Sequence, residues 1–178
     1  MTAKVKPGRV RHYLSRTVCS FLAVYAMIIV ALALLETRLV YPGAYVTTAP
    51  LDKAMSTEPI EYTTIDGNQL KGRLLRRTSS SNYLLFMHGN FSKAQRLDEL
   101  AERLSTAFDA TVLLAEYRGY EDEITPTETG LVHDCEAARD YLCENFGIGK
   151  SDIILYGRSL GGGCAVALAA NGGAKALI

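Results

Sequence analysis

The sequence has 178 residues, 48% of them apolar, with 19 basic and 19 acidic side chains. This length allows one ordinary globular domain with its own core. A formal net charge of zero gives no basic surface for nucleic acid, so we expect no nucleic-acid partner. The sequence contains no C-x-x-C pair and no histidine-rich spacing. We therefore expect no metal site and no cofactor.

The N-terminal segment is basic and leads into an uncharged apolar run. Its cationic residues all precede the first acidic residue, Glu36; they are Lys4, Lys6, Arg9, Arg11 and Arg16. No charged side chain occurs from Val18 to Leu35, a stretch that spans roughly 27 Å as a helix. We predict a basic tail over residues 1–17 and a transmembrane signal anchor over residues 18–40, which makes the lipid bilayer a partner of this chain.

Two other interpretations of the apolar run stay open. A cleavable signal peptide usually has a shorter apolar core, but small residues at Ala31 and Ala33 suit cleavage. A buried helix of a soluble protein would show a polar stripe, which this run lacks. For an anchor, the cations on its N-terminal side predict a single-pass protein with a cytosolic N-terminus. The folded domain would then lie on the extracytoplasmic or lumenal side.

After the anchor, the sequence predicts a linker over residues 41–58 and the N-terminal part of an α/β domain over residues 59–178. Alternating and continuous apolar runs predict strands at 60–65, 69–75, 83–87, 110–115, 153–156 and 174–178. Helices are predicted at 93–108, 125–146 and 160–170. Asp66-Gly67 suits a hairpin turn. Thr125 to Glu128 is typical of a capping box, with Pro126 at the first helical position.

This alternation of strands and helices predicts a doubly wound, mostly parallel sheet with helices on both faces. Ligands of such sheets bind in the crevice outside the carboxyl ends of the strands. Three groups of unusual residues follow predicted strands, at 88–90, 116–120 and 157–161. We therefore expect these three loops to face one crevice.

The third of these loops, Gly157-Arg158-Ser159-Leu160-Gly161, has the G-x-S-x-G pattern between a buried strand and a Gly/Ala-rich helix. A serine hydroxyl is a weak nucleophile, so the turn must lift it clear of the sheet. Glycine at positions 157 and 161 permits the sharp bend. The pattern therefore predicts that Ser159 is the nucleophile of a serine hydrolase.

A serine nucleophile requires two backbone N–H donors where negative charge develops on the attacked carbonyl oxygen. The residue after the nucleophile, Leu160, supplies one. We predict that Asn90 supplies the other, because Gly89 lets that loop approach closely.

None of the three histidines fits the role of general base. His88 is expected to support the oxyanion loop by a hydrogen bond. His133 and Asp134 stand within a predicted helix, and His12 belongs to the basic tail. Arg118 is expected to order neighbouring loops, with substrate binding as the alternative. In the order serine, acid, histidine, the acid and base would follow residue 178, so we expect this chain to be nearly inert by itself.

Several short motifs occur in an order shared with a known family. They are Tyr41-Pro42, H-G-N at 88–90, Y-R-G-Y at 117–120, T-E-x-G-L-x-x-D at 127–134 and G-R-S-L-G-G at 157–162. On these motifs, over roughly residues 41–178, the chain resembles the membrane-anchored branch of the alpha/beta-hydrolase superfamily. This branch comprises alpha/beta-hydrolase-domain-containing proteins related to the serine aminopeptidase-like group.

The resemblance implies an alpha/beta-hydrolase fold, with an incomplete doubly wound sheet after one transmembrane helix. It also implies hydrolysis of ester, thioester or amide bonds in small-molecule or acylated substrates, since some relatives remove fatty acyl groups from proteins. The sequence departs from the family at Phe91-Ser92-Lys93, where small residues are common, and in its sixth strand, which is cut short. We therefore expect a C-terminally truncated hydrolase. The alternative is a catalytically inactive, membrane-tethered binding module.

Overall fold

The computed structural model describes residues 7–47 and 55–178, and its side chains from residue 12 onward. Residues 1–6 of the predicted tail and 48–54 of the predicted linker lie outside the described residues. The chain divides after Val40 into two units. The first contains one long helix, and the second contains the α/β domain.

The helix of the first unit, α1, runs from Pro7 to Val40. It therefore includes the second half of the segment that the sequence predicts as tail. Its portion His12–Val40 has 29 residues, the most apolar 18-residue window of this portion has a mean hydropathy of 2.7, and none of that window is buried. By length and composition α1 can cross a membrane, and a signal sequence would pass the same test.

In the described part of the second unit, six strands form one sheet; in chain order they are β1 Glu58–Thr63, β2 Gln69–Leu75, β3 Asn82–Met87, β4 Ala110–Ala115, β5 Ile153–Gly157 and β6 Ala176–Leu177. Their spatial order is β1-β2-β4-β3-β5-β6. The pairs β1–β2 and β2–β4 are antiparallel, and the other pairs are parallel. The predicted hairpin is confirmed, with Thr63 opposite Gln69 and Gly67 at φ +84° in the turn.

Helices cover both faces of the sheet, as the sequence predicts. Helix α2, Asp98–Phe108, packs over one face, where Leu84 and Phe86 of β3 point. Helices α3, Glu128–Phe146, and α4, Leu160–Ala170, pack over the other face with Leu85 and Met87. Successive side chains of a strand point to opposite faces, so the continuous apolar run of β3 is buried on both sides. The predicted doubly wound α/β sheet is confirmed.

Two helix starts differ from the prediction. The predicted helix at 93–108 divides into a short 3₁₀ turn, Ala94–Arg96, and α2, which begins at Asp98. Helix α3 begins at Glu128, because the hydroxyl of Thr127 accepts from the N–H of Gly130 and caps the helix. The capping box at Thr125 was therefore wrong, and Pro126 precedes the cap instead of occupying the first helical position.

The segment predicted as a linker begins inside the folded unit. Tyr41 is buried in the larger hydrophobic core, and a 3₁₀ turn, Pro42–Tyr45, follows it. The C-terminal end of this segment is also held by hydrogen bonds. Both Ser56 and Thr57 donate backbone and hydroxyl hydrogen bonds to the carboxylate of Asp98 at 2.8–3.1 Å. These bonds join the start of β1 to the start of α2.

The Asp98 carboxylate makes the stability of this junction depend on pH. Burial raises the pKa of Asp98, but the hydrogen bonds from Ser56 and Thr57 outweigh it and lower the pKa to about 2. A depressed carboxyl pKa stabilises the fold above the unfolded value of about 3.9 and stops doing so as pH falls through the folded value. We expect Asp98→Asn to lower the free energy of unfolding at pH 7 by about 1–2 kcal/mol, after a discount for partial exposure.

Urea unfolding of wild type and variant between pH 7 and pH 2 measures this difference. It should shrink below about pH 4 and vanish near pH 2. Glu102→Gln, on the exposed side of α2, is the matched control and should leave stability unchanged. A constant difference across the range would contradict the assignment.

Candidate active site

Three loops leave the sheet at the same level, on the edge formed by the carboxyl ends of its central strands. Met87, the last residue of β3, pairs with Ala115 of β4 and with Gly157 of β5. The loops that begin at His88, Glu116 and Arg158 therefore start side by side. This arrangement brings together the three groups that the sequence predicts to share a crevice.

The turn between β5 and α4 presents the hydroxyl of Ser159. Its backbone has φ +52° and ψ −115°, a region that non-glycine residues rarely occupy and that concentrates at functional sites. Arg158 donates its N–H to Met87 O at 3.0 Å, and Gly162 donates to Ser159 O at 2.8 Å. The side chain of Ser159 is exposed. The hydroxyl is thus held by a rigid turn and remains open to solvent.

Glycines allow this turn to pack against the end of β3. A Cβ atom on Gly161 would lie 2.0 Å from the carbonyl oxygen of Met87, and one on Gly157 would lie 2.4 Å from Gly161 O. Any side chain at either position would collide with backbone, which cannot move aside as a side-chain tip can. The two glycines of the motif are therefore required by close packing.

The loop after β3 faces the serine. A Cβ atom on Gly89 would lie 3.5 Å from Ser159 Cβ and 3.4 Å from Arg158 O, so a methyl group at position 89 would just reach van der Waals contact with the serine turn. Asn90 follows Gly89, and Leu160 is the first residue of α4. The N–H groups of a first helical turn have no partner within the helix. Asn90 therefore lies in the loop that faces the serine turn, and Leu160 lies in the helix that follows the serine. Their role as oxyanion donors stays a prediction.

His88 lies beneath this loop and supports it. The side chains of His88 and Glu116 are both 1% exposed, with His88 Nε2 2.8 Å from Glu116 Oε1. His88 Nδ1 lies 2.9 Å from Gly89 O. Because each ring nitrogen has a partner of its own, His88 has no position from which to take the serine proton. Its contacts suit the loop-supporting role that the sequence predicts.

Several comparisons with known proteins bear on this geometry. No family model matches the chain. It is 32% identical over 164 residues to Protein bem46 of Schizosaccharomyces pombe, covering 85% of this chain and 55% of that protein. It is 32% identical over 117 residues to human alpha/beta hydrolase domain-containing protein 17B, covering 65% and 41% respectively.

The solved structures that resemble this chain include an alpha/beta hydrolase and an esterase. An alpha/beta hydrolase from Vibrio vulnificus matches with a TM-score of 0.57 and 27% identity over 68% of this chain and 44% of its own. A bacterial heroin esterase matches with a TM-score of 0.55 and 26% identity over 75% of this chain and 45% of its own. The chain belongs to the alpha/beta-hydrolase superfamily. It spans about half the length of the curated relatives that it matches.

The other candidates for proton transfer lie elsewhere in this hydrolase fold. His133 is half-buried on α3, where it lines a groove of about 530 Å³ together with β1. His12 lies on α1, in the other unit. Of the histidines in the second unit, neither His88 nor His133 is placed to act on the serine. Among the described residues, no group of three or more His, Cys, Asp or Glu could hold a metal.

Asp134 and Arg118 form a buried pair that orders the loop after β4. The Asp134 carboxylate is fully buried and accepts from the backbone N–H of Arg118 at 2.9 Å and from its guanidinium at 2.7 Å. Arg118 also donates to Asp66 in the hairpin turn at 2.6 Å. Burial raises the pKa of Asp134, whereas the hydrogen bond from Arg118 lowers the pKa of the exposed Asp66. Arg118 therefore joins three elements, as the structural interpretation of this residue predicts.

The sequence predicts that residues 116–120 face the crevice, but it does not predict that Glu116 and Tyr117 hold the loop after β3, or that Tyr62 binds Glu116. Glu116 receives Ala94 N–H at 2.8 Å in addition to His88, and Tyr117 donates its hydroxyl to His88 O at 2.9 Å. Tyr62 of β1 bridges both backbone groups of Glu116. The sequence shows Glu116 as a charged residue directly after an apolar run, which is the only local sign that it is buried and paired.

Two adjacent glycines, Gly161 and Gly162, test the close packing of the turn between β5 and α4. We expect Gly161→Ala to lower the free energy of unfolding by about 2–3 kcal/mol, because the new methyl group overlaps backbone. Gly162→Ala is the matched control. Its Cβ would have its nearest neighbour at 3.8 Å, so helix propensity predicts no loss and a gain of up to about 1 kcal/mol. Chemical unfolding of both variants measures the difference, and equal stabilities would contradict the proposed constraint.

Proposed function

We propose that this protein is a serine hydrolase acting on ester, thioester or amide bonds, with Ser159 as nucleophile. One observation carries the proposal: an exposed serine stands at a strained strand-to-helix turn, directly opposite Gly89 of the neighbouring loop. The alpha/beta-hydrolase and esterase names of the solved relatives support the same chemistry. An acyl-protein thioesterase-like preference for acylated substrates is the finer form of the proposal.

The proposed reaction proceeds in steps that use different parts of the site. Ser159 Oγ attacks the acyl carbon, and the former carbonyl oxygen becomes negatively charged. The backbone N–H groups of Asn90 and Leu160 donate hydrogen bonds to this oxygen, which stabilises the transition state. The alcohol, thiol or amine leaves with a proton, and water then hydrolyses the acyl-enzyme. A general base must accept the serine proton, and neither His88 nor His133, the histidines of the second unit, is placed to do so.

This lack of a placed base favours a second candidate, a membrane-tethered binding module that keeps the crevice without catalysis. The two candidates differ in the reactivity of Ser159. A base-activated serine reacts with organophosphorus probes, whereas an unactivated surface hydroxyl does not.

Labelling with a fluorophosphonate probe separates the candidates. We expect the full-length gene product to label at Ser159, and Ser159→Ala to abolish labelling completely, because no other group replaces the nucleophile. Ser79→Ala, in an exposed turn between β2 and β3, is the control and should label as wild type. A full-length protein that fails to label, or a Ser159→Ala variant that labels normally, would support the binding module.

We also propose that α1 is a signal anchor with its N-terminus in the cytosol and the hydrolase domain on the extracytoplasmic or lumenal side. The support is the apolar span and the cationic residues before it, which the positive-inside rule keeps in the cytosol. In sealed microsomes, we expect a C-terminal epitope to resist protease until detergent is added, and the protein to resist carbonate extraction.

A charge-reversed tail is the control for orientation. Replacing Arg9, Arg11 and Arg16 by Glu should increase the fraction of molecules with an accessible C-terminal epitope. Appearance of a shortened product that carbonate releases would instead identify α1 as a cleaved signal peptide.

A further inference from the structure

The Pro42–Tyr45 turn packs directly on the oxyanion loop. A Cβ atom on Gly43 would lie 1.6 Å from the carbonyl oxygen of Asn90 and 3.1 Å from Phe91 Cα. Contact at this distance leaves no room for any side chain at position 43. Gly43 is buried at this contact. The turn therefore presses backbone against backbone at the residue that we propose as an oxyanion donor.

Hydrogen bonds fix the side chain of Asn90 at the same place. Gly43 N–H donates to Asn90 Oδ1 at 3.3 Å, and the hydroxyl of Tyr120 donates to the same oxygen at 2.8 Å. Burial raises the pKa of Tyr120 well above its usual value, so the hydroxyl keeps its proton at neutral pH. One carbonyl oxygen of the Asn90 side chain thus receives donors from two segments distant in sequence.

The residues that precede Asn90 in the loop are held by the loop after β4. Glu116 and Tyr117 bind His88, and Glu116 also binds Ala94 beyond the loop. Asn90 therefore lies between two sets of contacts. Glu116 and Tyr117 bind His88 before it, and the Pro42–Tyr45 turn binds Asn90 itself. An N–H donor aimed at a developing charge loses effect when it is displaced by a fraction of an ångström. The turn has the placement needed to prevent that displacement.

We infer that the Pro42–Tyr45 turn is part of the oxyanion machinery, with Gly43 and Tyr120 as positioning residues for the backbone donor of Asn90. This inference rests on the proposed hydrolase function. The turn starts two residues after α1 ends at Val40, so the segment that joins the apolar helix to the domain also shapes the active site. Cleavage before Tyr41 would leave the Pro42–Tyr45 turn attached to the domain. Cleavage after Tyr45 would break the covalent link between the turn and the domain.

The test compares Gly43→Ala and Tyr120→Phe with wild type in the full-length gene product. Hydrolysis of a p-nitrophenyl ester gives kcat and KM, and a trifluoromethyl ketone measures affinity for a transition-state analogue. We expect kcat to fall about 100-fold for Gly43→Ala and about 10-fold for Tyr120→Phe, with KM changed less than about twofold. Affinity for the ketone should fall by the same factors as kcat. Gly163→Ala, whose Cβ would meet nothing within 4 Å, is the control.

The outcomes separate this inference from the proposed function. If wild type hydrolyses the ester and both variants match it in kcat, the inference is overturned while the hydrolase stands. If KM rises in Tyr120→Phe with kcat unchanged, the residue binds substrate and does not position the donor, which also overturns the inference. Should Gly43→Ala fail to fold, Tyr120→Phe decides alone. A wild-type protein without Ser159-dependent turnover overturns the proposed function itself.

Discussion

The close approach of the first turn of α4 to the end of β3 is the constraint on which the site depends. At Gly161 the two backbones come so near that a methyl group would fall 2.0 Å from Met87 O. At the same place Arg158 N–H bonds to Met87 O, and the next residue, Ser159, has φ +52°. The serine hydroxyl therefore emerges at the top of the sheet and is not buried between strand and helix.

Two buried polar side chains, His88 and Glu116, support the loop that faces the Ser159 turn. His88 and Glu116 are almost fully buried, and such groups are tolerated only when their hydrogen-bonding capacity is satisfied. Here the satisfaction comes from Tyr117, Ala94 and Gly89. The loop after β3 is consequently held by hydrogen bonds from the loop after β4.

Local patterns predict much of this protein because the forces behind them are local. The apolar runs of β3 and β4, the 3.6-residue stripe of α3 and the glycine after it at φ +64° depend on neighbours a few residues away. Predictions fail where a tertiary contact overrides the pattern. Helix α2 begins at Asp98, later than predicted, and there the Asp98 carboxylate accepts hydrogen bonds from Ser56 and Thr57, which lie 42 and 41 residues earlier.

The sequence by itself determined the apolar span, the alternation that builds a doubly wound sheet, and the serine placed between a strand and a glycine-rich helix. Each of these follows from side-chain periodicity or from steric limits on adjacent residues. Only the tertiary structure decided that Glu116 supports His88 and that Gly43 meets Asn90, 47 residues away. Such contacts depend on which surfaces the sheet brings together, and a linear pattern of hydrophobicity carries no record of that choice.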